Sequence, residues 1–528
     1  MRLRSLAALV VLAAGSPVHA DPVLRWLRAA HLAPADQPGP GGAPAPAAPA
    51  AAPMLGDVTG EAQSMGLADL LQVAVRQAPA LAQAKIDIEL AQAEIQRSQA
   101  WADWALAAEV AGSTRDSGFG ERVDGVNVSA SVARALSTGG AVGLAAGGSW
   151  SRREFLFRDE DTGFSELITS TGYNESIVVT FAQPLLRGRG EAIVRAGERL
   201  AATQRDAAQI AQRSAAIAVV RDVVLGYLDL VAAERDLEIR RASLELAQER
   251  LRVTEAGIRG GGVAKAELIP VEQAIATREE EVMAGELVVL DSSLALRRRV
   301  QLPIERGQLL LASTGDLAIP ARSWSQDQLI EAALASSPEL AQLRASEAGA
   351  TIEVEITENG MLPSLDLSLQ VGPSGTADGP ITAAKNMVQF DEFTAVGSLR
   401  LQTTLDRTQA KANARAARGR RERVRVTAID VRSQIVEAVT RAVAQVQVAE
   451  RRYGIAVRAV ALAEQNLEVE QARLALGKSR NVDVLMRQDE LRAAQLRAVR
   501  TIIDWHRAAT AIAALTGEIL PQYGIEVK

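Results

Sequence analysis

The chain has 528 residues, 48% of them hydrophobic and only 3% aromatic, so its apolar content is mostly Ala, Leu and Val. That composition suits long, closely packed helices rather than a thick globular core. The absence of Cys excludes thiolate metal sites, disulfides and cysteine nucleophiles, and three His leave little for a triad or a His-based metal site. A formal charge of −6 gives no basic footprint for nucleic acid.

Residues 1–20 read as a signal peptide: Arg2 and Arg4 precede an apolar run from Leu6 to Ala14, and Val18 and Ala20 are small residues placed for cleavage after Ala20. Such a run is too short to cross roughly 30 Å of hydrocarbon. Residues 21–63 form a Pro/Ala-rich linker that cannot bury a core. No later segment is a run of eighteen apolar residues, so a chain of this kind that spans a membrane must do so with β-strands.

Two copies of one plan follow, a first repeat over 64–300 and a second over 325–517, joined by a connection at 301–324 and followed by a tail at 518–528. Gln77-Ala78-Pro79-Ala80-Leu81 matches Ser336-Ser337-Pro338-Glu339-Leu340 at an offset of 259 residues. Leu244, Ala247, Leu251 and Gly261 match Val460, Ala463, Leu467 and Gly477 at an offset of 216, which sets Glu267 against Asp483. Each copy runs helix, strands, long helix, tight turn, helix. The first long helix is expected from about 191 to 256, with Leu230, Leu237, Leu244 and Leu251 seven residues apart; Tyr453, Val460, Leu467 and Leu474 keep that spacing in the second. This is the seam of an antiparallel coiled coil. About 65 residues at 1.5 Å each make a rod on the order of 100 Å. The flanking helices, about 66–100 and 264–300, would match it stacked end to end.

Strands are expected at 105–183 in the first copy and 364–404 in the second. Val126, Val128, Ala130 and Val132 alternate with polar residues, and Ser137-Thr138-Gly139-Gly140 is a hairpin turn. All seven Phe lie in these two regions. Trp101, Trp104, Trp150, Phe155, Phe181 and Phe393 are therefore expected at membrane interfaces, as aromatic girdles.

Five pieces in order resemble the TolC family of outer-membrane efflux proteins: Ala78-Pro79-Ala80-Leu81, Gln183-Pro184-Leu185-Leu186-Arg187-Gly188, Ser337-Pro338-Glu339-Leu340, Leu362-Pro363-Ser364-Leu365-Asp366-Leu367-Ser368, and the tip turn from Gly477 to Leu485. The resemblance implies a mainly α fold with a membrane β-barrel: a homotrimer whose coiled-coil helices form an α-barrel in the periplasm, joined to a shared β-barrel in the outer-membrane lipid. Four strands per protomer would give the family's usual twelve; four in the first copy plus two in the second would give eighteen. The implied partners are a periplasmic adaptor and an inner-membrane pump, and the implied function is the exit duct of a tripartite efflux or type I secretion system. By the same resemblance Asp483 and Glu267 line the periplasmic aperture, while Gly261, Val263, Lys265, Gly477, Lys478, Ser479 and Arg480 contact the adaptor. Pro184 and Gly188 form the strand-to-helix bend. Met486 stands where a second aperture aspartate would be, and Thr403-Thr404-Leu405 lacks the proline of the first bend. Asp483 fits equally well as the cap of the following helix.

No catalysis, metal or cofactor is expected. Gly260-Gly261-Gly262 with Lys265 lacks the Ser or Thr that a phosphate loop places after its Lys, and a helix rather than a strand precedes the glycines. The rival reading is a periplasmic coiled-coil adaptor or scaffold without a channel.

Overall fold

The computed structural model describes residues 63–117, 121–158, 165–303, 310–312, 319 and 324–526. The chain divides into two units, residues 1–52 and 53–528, and every described residue belongs to the second. The expected signal peptide and nearly all of the linker lie outside the described residues, as do Phe119, Phe164 and most of the 301–324 connection.

A short strand β1 (Gln63–Met65) leads into α1 (Leu67–Gln77) and α2 (Pro79–Gln99). Four long strands follow: β2 (Ala105–Asp116), β3 (Arg122–Ala135), β4 (Ala141–Arg158) and β5 (Ser165–Pro184). Next come α3 (Glu191–Val194), the 64-residue α4 (Ala196–Arg259), α5 (Leu268–Val300) and a short β6 (Leu310–Ala312) parallel to β1. The second half runs α6 (Gln326–Ser336), α7 (Pro338–Asn359), β7 (Ser364–Ala377), α8 (Pro380–Val388), β8 (Glu392–Gln402), the 68-residue α9 (Thr408–Ala475), α10 (Asn481–Leu515) and α11 (Ile519–Gln522).

The helix expected as continuous over 66–100 is in fact two. Proline cannot continue a helix but suits its first turn, and it biases the residue before it to extended backbone. Ala78 (φ −60°, ψ 120°) and Ser337 (φ −58°, ψ 118°) take the same bend before Pro79 and Pro338. Ser337 also caps α7, its hydroxyl accepting from the Leu340 amide at 3.2 Å. The first long helix likewise has a break at Arg195 and extends to Arg259 rather than ending near 256.

α4 pairs with α5, and α9 with α10, through long antiparallel faces. Leu230 and Leu237 are buried in the first seam and Leu467 in the second; the other seam residues are half-buried. One core gathers Leu70, Leu71, Val220, Leu230, Leu296 and Ile503, and another gathers Leu340, Val439, Val446, Trp505 and Ile512. These mid-helix cores bind α1, α6 and α7 to the long helices.

The strands form one antiparallel six-stranded sheet in the order β2-β3-β4-β5-β7-β8. The hairpin of β3 and β4 is continuous with the rest of the sheet. Side chains alternate across a strand, and the register assigns every strand to two faces. One carries Leu106 and Val110, Val128 and Val132, Leu144 and Trp150, Val179 and Phe181, Leu369 and Val371, Leu399 and Leu401. The other carries Ala107, Asn127, Ser129, Ser131, Gly143, Gly147, Ser149, Asn174, Ser368 and Gln370. One face is apolar and the other is small and polar.

Candidate functional site

The tip turns are built alike. α4 ends with the Gly262 amide donating to Gly257 O at 3.0 Å and the Gly261 amide to Ile258 O at 3.1 Å. α9 ends with the Lys478 amide donating to Arg473 O and the Gly477 amide to Leu474 O, both at 2.9 Å. This is the paired hydrogen bonding of a Schellman cap, which needs a left-handed residue after the helix. Gly261 (φ 73°) and Gly477 (φ 69°) supply it, with open space around each. Val263 folds back over Gly257, where an added Cβ would stand 2.7 Å from its Cγ2.

The two acidic residues expected at the aperture meet at one place. Asp483 accepts the Arg480 amide at 3.1 Å, closing a capping box on α10, and Arg480 Nε lies 3.6 Å from its carboxylate. Glu267, 214 residues away, accepts the next amide, that of Asn481, at 3.3 Å. Two carboxylates therefore sit at the positive end of one helix. Ser479 donates to Glu470 Oε1 at 2.6 Å, fixing the turn to α9. Lys265, Lys478 and Arg480 are exposed. Around them stand large apolar side chains open to solvent, Ile269, Leu476, Val482 and Met486. Of these four only Met486 is singled out by the sequence, as the residue in place of a second aperture aspartate; Ile269, Leu476 and Val482 are not, because single apolar residues at helix ends carry no periodic signal.

Above the tips, Arg278 on α5 is buried between α4 and α10, and Arg492 pairs with Glu281. Burial, then the neighbouring Arg278 and Arg240, push the Arg492 guanidinium below its ordinary pKa.

At the other end of the long helices, the bend at Pro184 and Gly188 is locked from three sides. The Gly188 amide (φ 85°) donates to Asn359 Oδ1 at 2.8 Å, and the Gly190 amide to Thr138 O at 3.0 Å. The Thr138 hydroxyl donates to Gln183 Oε1 at 2.7 Å. In the second half Arg407 takes the left-handed conformation (φ 50°) without a proline.

The aromatic residues divide. On the apolar face, Arg134 and Phe181 share one cross-strand row, and the Arg134 guanidinium lies 5.6 Å from the Trp104 ring. Trp150 and Tyr173 share another row, eight residues further along β4 and β5. Eight residues span about 26 Å of strand. Beyond Trp150 the same face turns polar with Arg152 and Glu154. Phe393 is exposed on this face, at the start of β8. Phe155 departs from the expectation: the ladder puts it on the small polar face with Ser149 and Ser151, because β4 runs on to Arg158 in unbroken alternation. Trp101 stands just before the sheet and donates to Glu198 Oε1 at 2.7 Å.

Among the described residues, no group of His, Cys, Asp and Glu could hold a metal ion, and no helix is long and apolar enough to cross a membrane. Among the described residues both edge strands, β2 and β8, are paired on one side only.

Residues 329–518 match the family model described as outer membrane efflux protein. Over 225 residues the chain is 24% identical to the pyoverdine export outer membrane protein OpmQ of Pseudomonas putida. That match covers 42% of this chain and 46% of OpmQ, less than half of either. The fold is similar to that of the outer-membrane channel OprN (TM-score 0.63, 12% identity, 85% of this chain and 89% of that one). It is also similar to the outer membrane protein VceC of Vibrio cholerae (TM-score 0.60, 15% identity, 85% and 96%).

Proposed function

We propose that this chain, whose residues 329–518 match the outer membrane efflux protein family model, resides in the outer membrane as a passive exit duct. It conducts substrate delivered by an inner-membrane pump through a periplasmic adaptor, and the pump supplies the energy. The observation that carries this reading is the sheet: one apolar face, one small polar face, and two unpaired edges. Unpaired N–H and C=O groups cannot face hydrocarbon, so such a sheet enters a bilayer only when its edges find partners. Three copies pairing β8 of one with β2 of the next would close an eighteen-stranded barrel, apolar face outward. Barrel diameter grows with strand number, and barrels of 16–18 strands leave an aqueous channel.

In this reading α4, α5, α9 and α10 of three protomers build the periplasmic tunnel, as two halves of a repeated plan. Its far end narrows at the tips. Glu267 and Asp483 stand at that aperture, held by the N-terminus of α10 rather than swinging free. The residues of the two turns, Gly261, Val263, Lys265 and Gly477 to Arg480, with the exposed Ile269, Leu476, Val482 and Met486, form the adaptor surface. Alternating exposed cations and apolar side chains suit a helical-hairpin partner with acidic and apolar positions.

The test is planar-bilayer conductance of purified trimers, with the native chain and Asp483→Ala. Discrete channels that open wider in the variant support the duct. Trimers that never conduct in either form refute it. Crosslinking from single cysteines at Lys265 and Lys478 then identifies the partner at the tips.

A further inference from the structure

We propose that α8 is an interfacial helix that lies in the outer leaflet against the outside of the barrel wall, with lipid as its partner. The inference rests on the outward orientation of the apolar face proposed above. α8 connects β7 to β8 and packs on β7 and β5, which lie inside the sheet rather than at its open edge. Its place is set by Gly375: a Cβ there would collide with the backbone of Ala383 and Met387, so the helix rests directly on the glycine. The register puts Gly375 opposite Glu175, and Glu175 opposite Gly148, on the apolar face. This row lies two residues along β5 from the row of Trp150 and Tyr173, on the side of the apolar band. α8 therefore covers the one row of the band that carries a carboxylate and two glycines, and Glu175 is half-buried as a result.

The helix is amphipathic in an unusual sense. Ala383 is fully buried and Asn386 anchors the inner side, its Nδ2 donating to Thr376 O at 3.2 Å. The outer stripe Ile381, Lys385, Val388 follows i, i+4, i+7 spacing. Ile381 is 85% exposed and Val388 70% exposed, and Phe390 just beyond is 60% exposed. A helix on a water-facing wall would turn such residues inward; one at lipid depth presents them outward, with the single Lys reaching for the headgroups. The position over inner strands leaves this stripe clear of a neighbouring subunit that pairs with β2 or β8. Acyl chains are the occupant continuous with the apolar face on either side of it.

Single-cysteine variants of the full chain report this cleanly, since the chain has no native Cys. Ile381→Cys, Val388→Cys, Asp378→Cys, Leu144→Cys on the apolar face and Ser129→Cys on the polar face are assembled in outer-membrane vesicles. Each is treated with a charged maleimide, and in parallel labelled with a fluorophore in bilayers containing nitroxide lipid. The expected result is that positions 381, 388 and 144 react about tenfold or more slowly than 378 and 129, and that lipid nitroxide quenches the first three. Positions 381 and 388 reacting as fast as 378, or protected without lipid quenching, overturn the proposal, the second outcome marking a protein neighbour. If Leu144→Cys is itself water-reactive, the membrane orientation of the sheet fails instead, and α8 with it.

Discussion

Arg278, with 3% of its side chain exposed, bolts three helices together: Nη2 donates to Asp489 Oδ1 at 3.2 Å, and Nη1 donates to Gln488 Oε1 at 3.1 Å and to Ser243 O at 3.3 Å. The α4–α5 pair is thereby tied to α10. Asp489 is 55% exposed, so its charge is screened by water, whereas Gln488 is buried. Arg278→Met strips the donor from two buried acceptors and is expected to cost about 1–3 kcal/mol. Asp489→Asn keeps an acceptor in place and should cost less than about 1 kcal/mol. Thermal unfolding followed by helical circular dichroism ranks the two; the reverse order would make the Asp489 charge the anchor.

The tip glycines give a second contrast. Gly261 and Gly477 hold positive φ, and an added Cβ at either meets no atom within 4 Å. The penalty for Ala is therefore conformational alone, about 1–2 kcal/mol at each. Gly260 has φ −78° and a Cβ contact of 3.5 Å, an ordinary distance. Gly260→Ala should be neutral or stabilise by about 0.5 kcal/mol, by reducing the freedom of the unfolded chain. Melting temperatures that fall equally for all three would show that the turn is not the Schellman cap described.

Asp483 caps α10, and in the proposed duct it is also a charge at the aperture. Asp483→Ala removes both and should cost about 1 kcal/mol of helix-end stability. Asp483→Asn retains an acceptor for the Arg480 amide and should recover most of that loss. Single-channel recordings then isolate the charge: cation preference that falls in both variants assigns it to the carboxylate, while a change only in the Ala variant assigns it to the fold of the tip.

What the sequence made legible was local. The turns at Gly139, Gly261 and Gly477 and the alternation of β3 each have a signal within a few residues. Three features did not. The pairing of Glu267 with the Asn481 amide joins positions 214 residues apart, and no local pattern encodes it. α8 lies in a stretch read only as strand, since nine residues give barely two turns of periodicity. Phe155 was counted among interface aromatics by composition. Its face depends on parity along β4, which is fixed only once Trp150 is set against Tyr173 and Val126.

That parity makes the sharpest test of the sheet. Ala130 and Ser129 are neighbours in β3 and point to opposite faces, Ala130 in a row with Ala108 and Ala146, Ser129 in a row with Glu109 and Gly147. The Ala130 row lies midway between the rows of Phe181 and Trp150. In the proposed barrel Ala130→Arg turns a guanidinium toward lipid, which costs about 2–4 kcal/mol near the bilayer midplane. Ser129→Arg turns it toward the proposed lumen opposite Glu109, where small neighbours leave room for it. The first variant should fail to yield heat-modifiable trimers in the outer membrane. The second should assemble normally and shift channel selectivity toward anions, because each protomer adds a guanidinium to the water-filled wall. Equal assembly of both would mean that the face carrying Ala130 does not meet lipid, and neither the barrel nor the duct would survive that result.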